Sequence, residues 1–144
     1  MVIKKRIVAV DEQNHSILFA INSTLDEFRF CTTINEELDI SLQMQSPREY
    51  EVNSVPVVHS FYSYFDDNKK NQFDCIANKT DKGNVVDFME TITYFLRVSN
   101  VFIDSEIQNI QHKISQIESV IFVQKIDFTK LTQRQQKTLL HLFQ

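Results

Sequence analysis

Glycine is almost missing from this chain: of 144 residues only Gly83 is one, and there is no tryptophan. Backbone that must come close to a phosphate or an oxyanion needs residues without a Cβ or with free access to positive φ. The scarcity therefore excludes the G-x-G-x-x-G, Walker and G-x-S-x-G turns, and with them the commonest nucleotide-binding and hydrolase sites. Cysteine is equally sparse. Cys31 and Cys75 lie far apart, outside any C-x-x-C or finger spacing, and read as small buried thiols of a reduced compartment. The four histidines, His15, His59, His112 and His141, are scattered with no H-E-x-x-H or H-x-H pairing, so neither a metal nor another cofactor is expected. No apolar run approaches the ~18 residues of a membrane span. The run that follows Lys4, Lys5 and Arg6 stops at Asp11 and Glu12, too short for a signal-peptide core. These absences predict a cytoplasmic protein without membrane insertion.

What is present is ordinary globular composition, 42% apolar and 24% charged, with 12 Phe and 4 Tyr. A single domain over residues 1–144 is expected, and a chain of this length buries roughly 68–70% of its unfolded surface. Fifteen basic against 19 acidic residues leaves a formal charge of −4, which provides no overall field for nucleic acid or anionic lipid.

Arg6–Val10 and Ser16–Asn22 are apolar and β-rich around a polar break, which predicts a hairpin. Thr24-x-x-Glu27 has the capping-box form before a helix with Leu25, Phe28, Cys31, Ile34 and Leu38 on its apolar stripe. Ile40, Leu42 and Met44 alternate with polar residues as in a strand with one wet face. Residues 46–55, with Pro47 and several charges, read as a loop. Val57–Phe65 and Gln72–Lys79 then read as a second hairpin around the polar turn 66–71. Residues 85–91 follow no single period. Tyr94–Val98, the stripe Ile107, Ile110, Ile114 and Ile117, and Val120–Ile126 form a strand, a helix and a strand, with Asp104 or Ser105 as the helix cap. A last helix, capped by Thr129 or Thr132, ends in the apolar residues Leu139, Leu140, Leu142 and Phe143. The fold class is α+β: a mixed or antiparallel sheet with helices on one face, built from ferredoxin-like or ACT-like β-α-β units.

Ser23 to Phe30, Ile34-Asn35-x-x-Leu38, Ala77-Asn78-Lys79 and Ile92-Thr93-Tyr94-Phe95-Leu96-Arg97 resemble a family of small Bacteroidetes proteins named for the motif Ile-Pro-Glu-x-x-x-Val-Asp-Tyr. Val86, Asp87 and Phe88 stand at the places of Ile, Pro and Glu, and Thr93 at that of Asp. The resemblance covers most of the chain and implies a fold, with no mechanism attached.

Few groups invite chemistry. Asp11, Glu12 and His15 fit a solvated turn better than a metal site, and Asp66 and Asp67 fit turn residues that bond their own backbone. Cys75 and His59, on paired strands, are the one thiol and imidazole that a hairpin would bring within reach, with no orienting third group. Tyr62 and Tyr64 are expected on one sheet face with Phe61 and Phe65 buried on the other. Lys69, Lys70 and Lys79 lie nearby, so base stacking is a further reading. Chain ends are normally polar, so Leu139, Leu140, Leu142 and Phe143 must dock on their own domain or on a partner. The sequence thus points to a non-enzymatic interaction or scaffold module that self-associates as a homo-oligomer or joins a larger complex, with Leu139, Leu140, Leu142, Phe143, Tyr62 and Tyr64 as interface candidates. A small-ligand regulatory domain resembling the ACT type, entered through Ile117-Glu118-Ser119-Val120, and an RNA- or ribosome-associated accessory protein are the alternatives.

Overall fold

The computed structural model describes residues 16–52, 54–80, 82–101 and 103–143. Its strands are β1 (Ile17–Ser23), β2 (Gln43–Met44), β3 (Arg48–Val52), β4 (Val55–His59), β5 (Phe61–Asp66), β6 (Asn71–Ala77), β7 (Lys79–Thr80), β8 (Gly83–Asn84), β9 (Tyr94–Ser99) and β10 (Val120–Lys125). Helices α1 (Glu27–Leu38), α2 (Asp104–Ser115) and α3 (Gln133–His141) complete the fold, with a short 3-10 turn at Phe128–Lys130. Six strands form one sheet in the order β10-β1-β9-β6-β5-β2, every neighbouring pair antiparallel. Arg6–Val10, one half of the expected first hairpin, and the turn Asp11 to His15 lie outside the described residues. The other half, β1, is paired on both sides, with β10 and with β9.

The strand-helix-strand unit from 94 to 126 is formed, but its strands are not neighbours. β9 and β10 each pair antiparallel with β1 between them and so run parallel to one another. β1 and β6 stand in the same relation across β9. In both units the helix returns the chain over the same face, so α1 and α2 lie side by side on the first layer of core. That layer joins Phe19 and Ile21 of β1, Leu96 and Val98 of β9, Phe73 and Cys75 of β6, Phe30 and Ile34 of α1, and Ile107 and Ile114 of α2.

The expectation of helices on one face is corrected. Period-2 alternation sends Leu18, Ala20, Ile76 and Phe95 to the opposite side of the same strands, and this second apolar face also needs cover. Leu139 of α3, Leu142, Phe143, Phe128 and the segment holding Val85, Val86 and Ile92 supply it. The β3–β4 hairpin lies at the margin of this layer, with Tyr50 packed against it.

Local deviations follow from which backbone groups needed partners. Asp26, not Thr24, caps α1 by accepting from the Arg29 amide at 3.0 Å. The Thr24 amide donates instead to the Ser119 carbonyl, and the Glu27 carboxylate accepts from Ser60 Oγ. Helix phase then turns Phe28 outward, 70% exposed, and buries Phe30, whose ring stacks on Tyr94 with centroids 4.0 Å apart. The expected loop 46–55 is the β3–β4 hairpin, and the expected strand 57–65 breaks at Ser60 because its halves pair with different partners. Only Gln43–Met44 of the 40–44 stretch pairs as strand; Asn35 holds Leu42 by two side-chain hydrogen bonds. No side chain caps α2, whose cap position is Ile103, whereas Thr132 and Gln135 form a reciprocal capping box on α3.

Candidate functional site

The C-terminal residues put forward as a contact surface are interior. Leu139, Leu142 and Phe143 are buried in the second core layer and Leu140 packs against it. Their contact is with their own sheet: of the two docking surfaces expected, their own domain and another chain, the structure shows the first. Tyr62 is also buried, in the first layer, and Tyr64 packs against that layer, while Phe61 is buried on the opposite side and Phe65 is 48% exposed. Burial, with Cys31 and Glu27 nearby, pushes the Tyr62 phenol above its ordinary pKa. Its ring is not presented to a base, so the stacking surface expected for nucleic acid is absent at Tyr62.

Cys75 and His59 are not brought together as a couple. β4, which carries His59, pairs with β3, while β6, which carries Cys75, pairs with β5 and β9. Cys75 meets Cys31 of α1, and this thiol-thiol hydrogen bond, together with complete burial, holds the Cys75 pKa well above its ordinary value. Such a thiol is a poor source of thiolate. Burial lowers the pKa of His59, whose ring meets Tyr50 edge-on at 6.5 Å.

A polar row crosses three strands on the second sheet face. Ser63, Asp74 and Arg97 are direct cross-strand neighbours. Asp74 is fully buried; its carboxylate accepts from Ser63 Oγ at 2.8 Å, from Gln72 Nε2 at 3.0 Å and from Arg97 at 2.9 Å. The Arg97 guanidinium lies over the Phe143 ring, 4.6 Å from its centroid. With three donors on its oxygens, Asp74 holds Arg97 beside Phe143 and so ties the sheet to the segment after α3.

A second polar centre organises the aperiodic stretch after β8. Asn78 is fully buried, and its side chain accepts from the Val86 amide at 2.7 Å while donating to the carbonyls of Ile92 at 2.9 Å and Met89 at 3.2 Å. Its own amide donates to the Thr93 carbonyl and its carbonyl accepts from the Val85 amide. Thr93 continues the network, its Oγ1 accepting from the Ser23 amide at 2.9 Å. Tyr94 donates its phenol proton to the Leu25 carbonyl at 2.7 Å, and burial raises its pKa.

One open groove, about 500 Å³, lies between β3, residues 85–88 and the first turns of α3, lined among others by Tyr50, Glu51, Val85, Asp87, Phe88 and Arg134. Burial and the Asp87 carboxylate raise the pKa of Tyr50, which also hydrogen-bonds Thr138. Among the described residues Glu51, Asp87 and Arg134 form no ion pair with one another, unlike Arg29–Asp26 and Arg97–Asp74.

Periodicity did not single out Asp74, Arg97 or Asn78. The visible signal for the first two was a charged residue inside each of two runs that are otherwise apolar. Among the described residues no group of three or more His, Cys, Asp and Glu side chains is placed to hold a metal ion, and no helix is long and apolar enough to cross a membrane. No protein-family model matches the chain, and no curated protein is similar to it.

Proposed function

We propose that this chain is a non-enzymatic interaction module that associates with a second copy of itself or with another protein through the outer edge of β10. The observation that carries this reading is an apolar edge. Among the described residues β10 is the last strand of the sheet, and on it Ile121 is 65% exposed and Phe122 37% exposed. An edge strand offers a row of unpaired N–H and C=O groups, and apolar side chains beside that row favour pairing with an added strand. The irregular register opposite Asn22 and Ser23 lies at Ile121, where the strand bends. Asp74, saturated with donors, and Cys75, held as a thiol, support a role without turnover. In this reading the protein works in a reduced cytoplasm, where Cys31 and Cys75 stay as unbridged thiols.

Ile121→Lys tests the reading: sedimentation at micromolar concentration should show the natural chain as an oligomer or in a complex and the variant as a monomer with unchanged circular dichroism. A natural chain that sediments as a monomer and captures nothing through β10 sinks it.

The fold itself reads as ferredoxin-like, since β1, α1, β6, β9, α2 and β10 follow the β-α-β-β-α-β order with β5 added before β6. We also propose a relation to the Ile-Pro-Glu-x-x-x-Val-Asp-Tyr family, on the sequence resemblance over Ser23–Phe30 and Ile92–Arg97 alone. A second reading, regulation by a small ligand as in ACT-like domains, is favoured by the groove beside α3.

A further inference from the structure

We propose that the groove between β3, residues 85–88 and α3 binds a free α-amino acid with a cationic side chain, an inference that rests on the small-ligand reading. Its volume of about 500 Å³ falls within the roughly 300–1,000 Å³ usual for small-molecule sites. The charges on its walls are the complement of such a ligand. Two carboxylates, Glu51 and Asp87, and one guanidinium, Arg134, line the same space. A basic amino acid carries two cations and one carboxylate.

Each charged wall comes from a different element, and among the described residues no ion pair joins the three. Glu51 stands on β3 and Asp87 on the segment gathered by Asn78, while Arg134 lies in the first turn of α3, just after the Thr132 cap. A guanidinium matches a carboxylate by two parallel hydrogen bonds, so Arg134 takes the α-carboxylate. Asp87 and Glu51 take the α-ammonium and the side-chain cation. Val85 is buried at the groove, and the partly buried Tyr50 and Phe88 give the aliphatic stem an apolar wall. Tyr50 stays a neutral phenol, because burial and Asp87 both raise its pKa.

Isothermal titration with L-lysine and L-arginine, and with two truncated probes, tests the assignment. L-norleucine lacks the side-chain cation and cadaverine lacks the carboxylate. Saturable binding of L-lysine or L-arginine is expected, with both probes roughly tenfold weaker, the loss of one charge-assisted contact. Arg134→Gln should weaken the basic amino acid by a similar factor and leave cadaverine unchanged, whereas Asp87→Asn should weaken both. Both side chains are exposed, so unchanged circular dichroism is the control for folding. Absence of heat with either basic amino acid up to millimolar concentration, or an Arg134→Gln variant that binds lysine as before, overturns the assignment. A thermal-shift panel of other amino acids and nucleotides separates the two levels. A shift with a different ligand overturns the basic amino acid and keeps the small-ligand reading, while no shift with any compound overturns both.

Discussion

The two faces of the sheet are covered by different means. On the first face α1 and α2 are long amphipathic helices tied into the strand order, and their contacts with Phe19, Ile21, Leu96 and Val98 are apolar throughout. On the second face the cover is assembled from short pieces: α3, the 3-10 turn, residues 85–93 and the β3–β4 hairpin. Polar ties fasten these pieces, Asn78 for the 85–93 stretch and Gln136, whose amide donates to the carbonyls of Phe128 at 2.7 Å and Leu131 at 3.2 Å, for the helix. Apolar burial is non-directional and can hold a helix of any phase, whereas an aperiodic segment is held only where each backbone group meets a specific donor or acceptor. The second face should therefore open first and should be the more sensitive to single polar substitutions.

The largest effect is expected in the apolar centre of the second face. Leu139→Ala should cost about 2–5 kcal/mol in urea unfolding, the range for a fully buried leucine. Hydrogen exchange should lose protection in α3 while β1 and β9 keep theirs; simultaneous loss in all three would remove the distinction between the faces. Asn78→Ala comes next, at roughly 2–3 kcal/mol, because buried donors and acceptors of residues 85–93 lose their partner. An equal cost for Asn35→Ala, whose side chain ties Leu42 beside the first face, would argue that polar ties matter alike on both.

Thr132→Ala should cost about 1 kcal/mol, the usual value of a helix cap, and should lower protection in α3 alone. The smallest effect is a pH dependence. Burial depresses the pKa of His59 in the folded chain, so the unfolded chain, with histidine near ~6.5, takes up the proton first. Stability from this residue is complete above that unfolded value and is lost as pH falls through the folded one. The melting temperature should drop as pH is lowered from about 7 to about 5, and His59→Gln should flatten part of the drop.

The same contrast decides which elements are legible in the sequence. Helix α2 and strands β9 and β10 announce themselves through isoleucines at helical spacing and short β-branched runs, because the first face is built on periodicity. The cap of α3 is legible as Thr129 or Thr132 for a similar reason, since capping is local chemistry, and the structure selects Thr132 with Gln135 three residues on. The hairpin at 48–59 was hidden because its strands carry Glu49, Glu51 and Pro56, residues that suit a loop equally well. Tyr62 is buried where an open sheet face is expected, because alternation assigns side chains to two faces without saying which elements cover each. The groove was invisible for the strongest reason. Glu51, Asp87 and Arg134 are far apart in the chain, and no local pattern links them.

Near-absence of glycine leaves a mark on the turns. Asp39, Ser54, Lys70 and Asn100 all adopt left-handed backbone, with φ between 56° and 66°. Asp and Asn tolerate that region, but Ser54 and Lys70 hold it against steric crowding of their Cβ, a burden of roughly 1–2 kcal/mol per residue. At these two corners removal of a side chain should raise the melting temperature instead of lowering it, so Ser54→Gly and Lys70→Gly mark where the chain has room to become hardier without any change to its core.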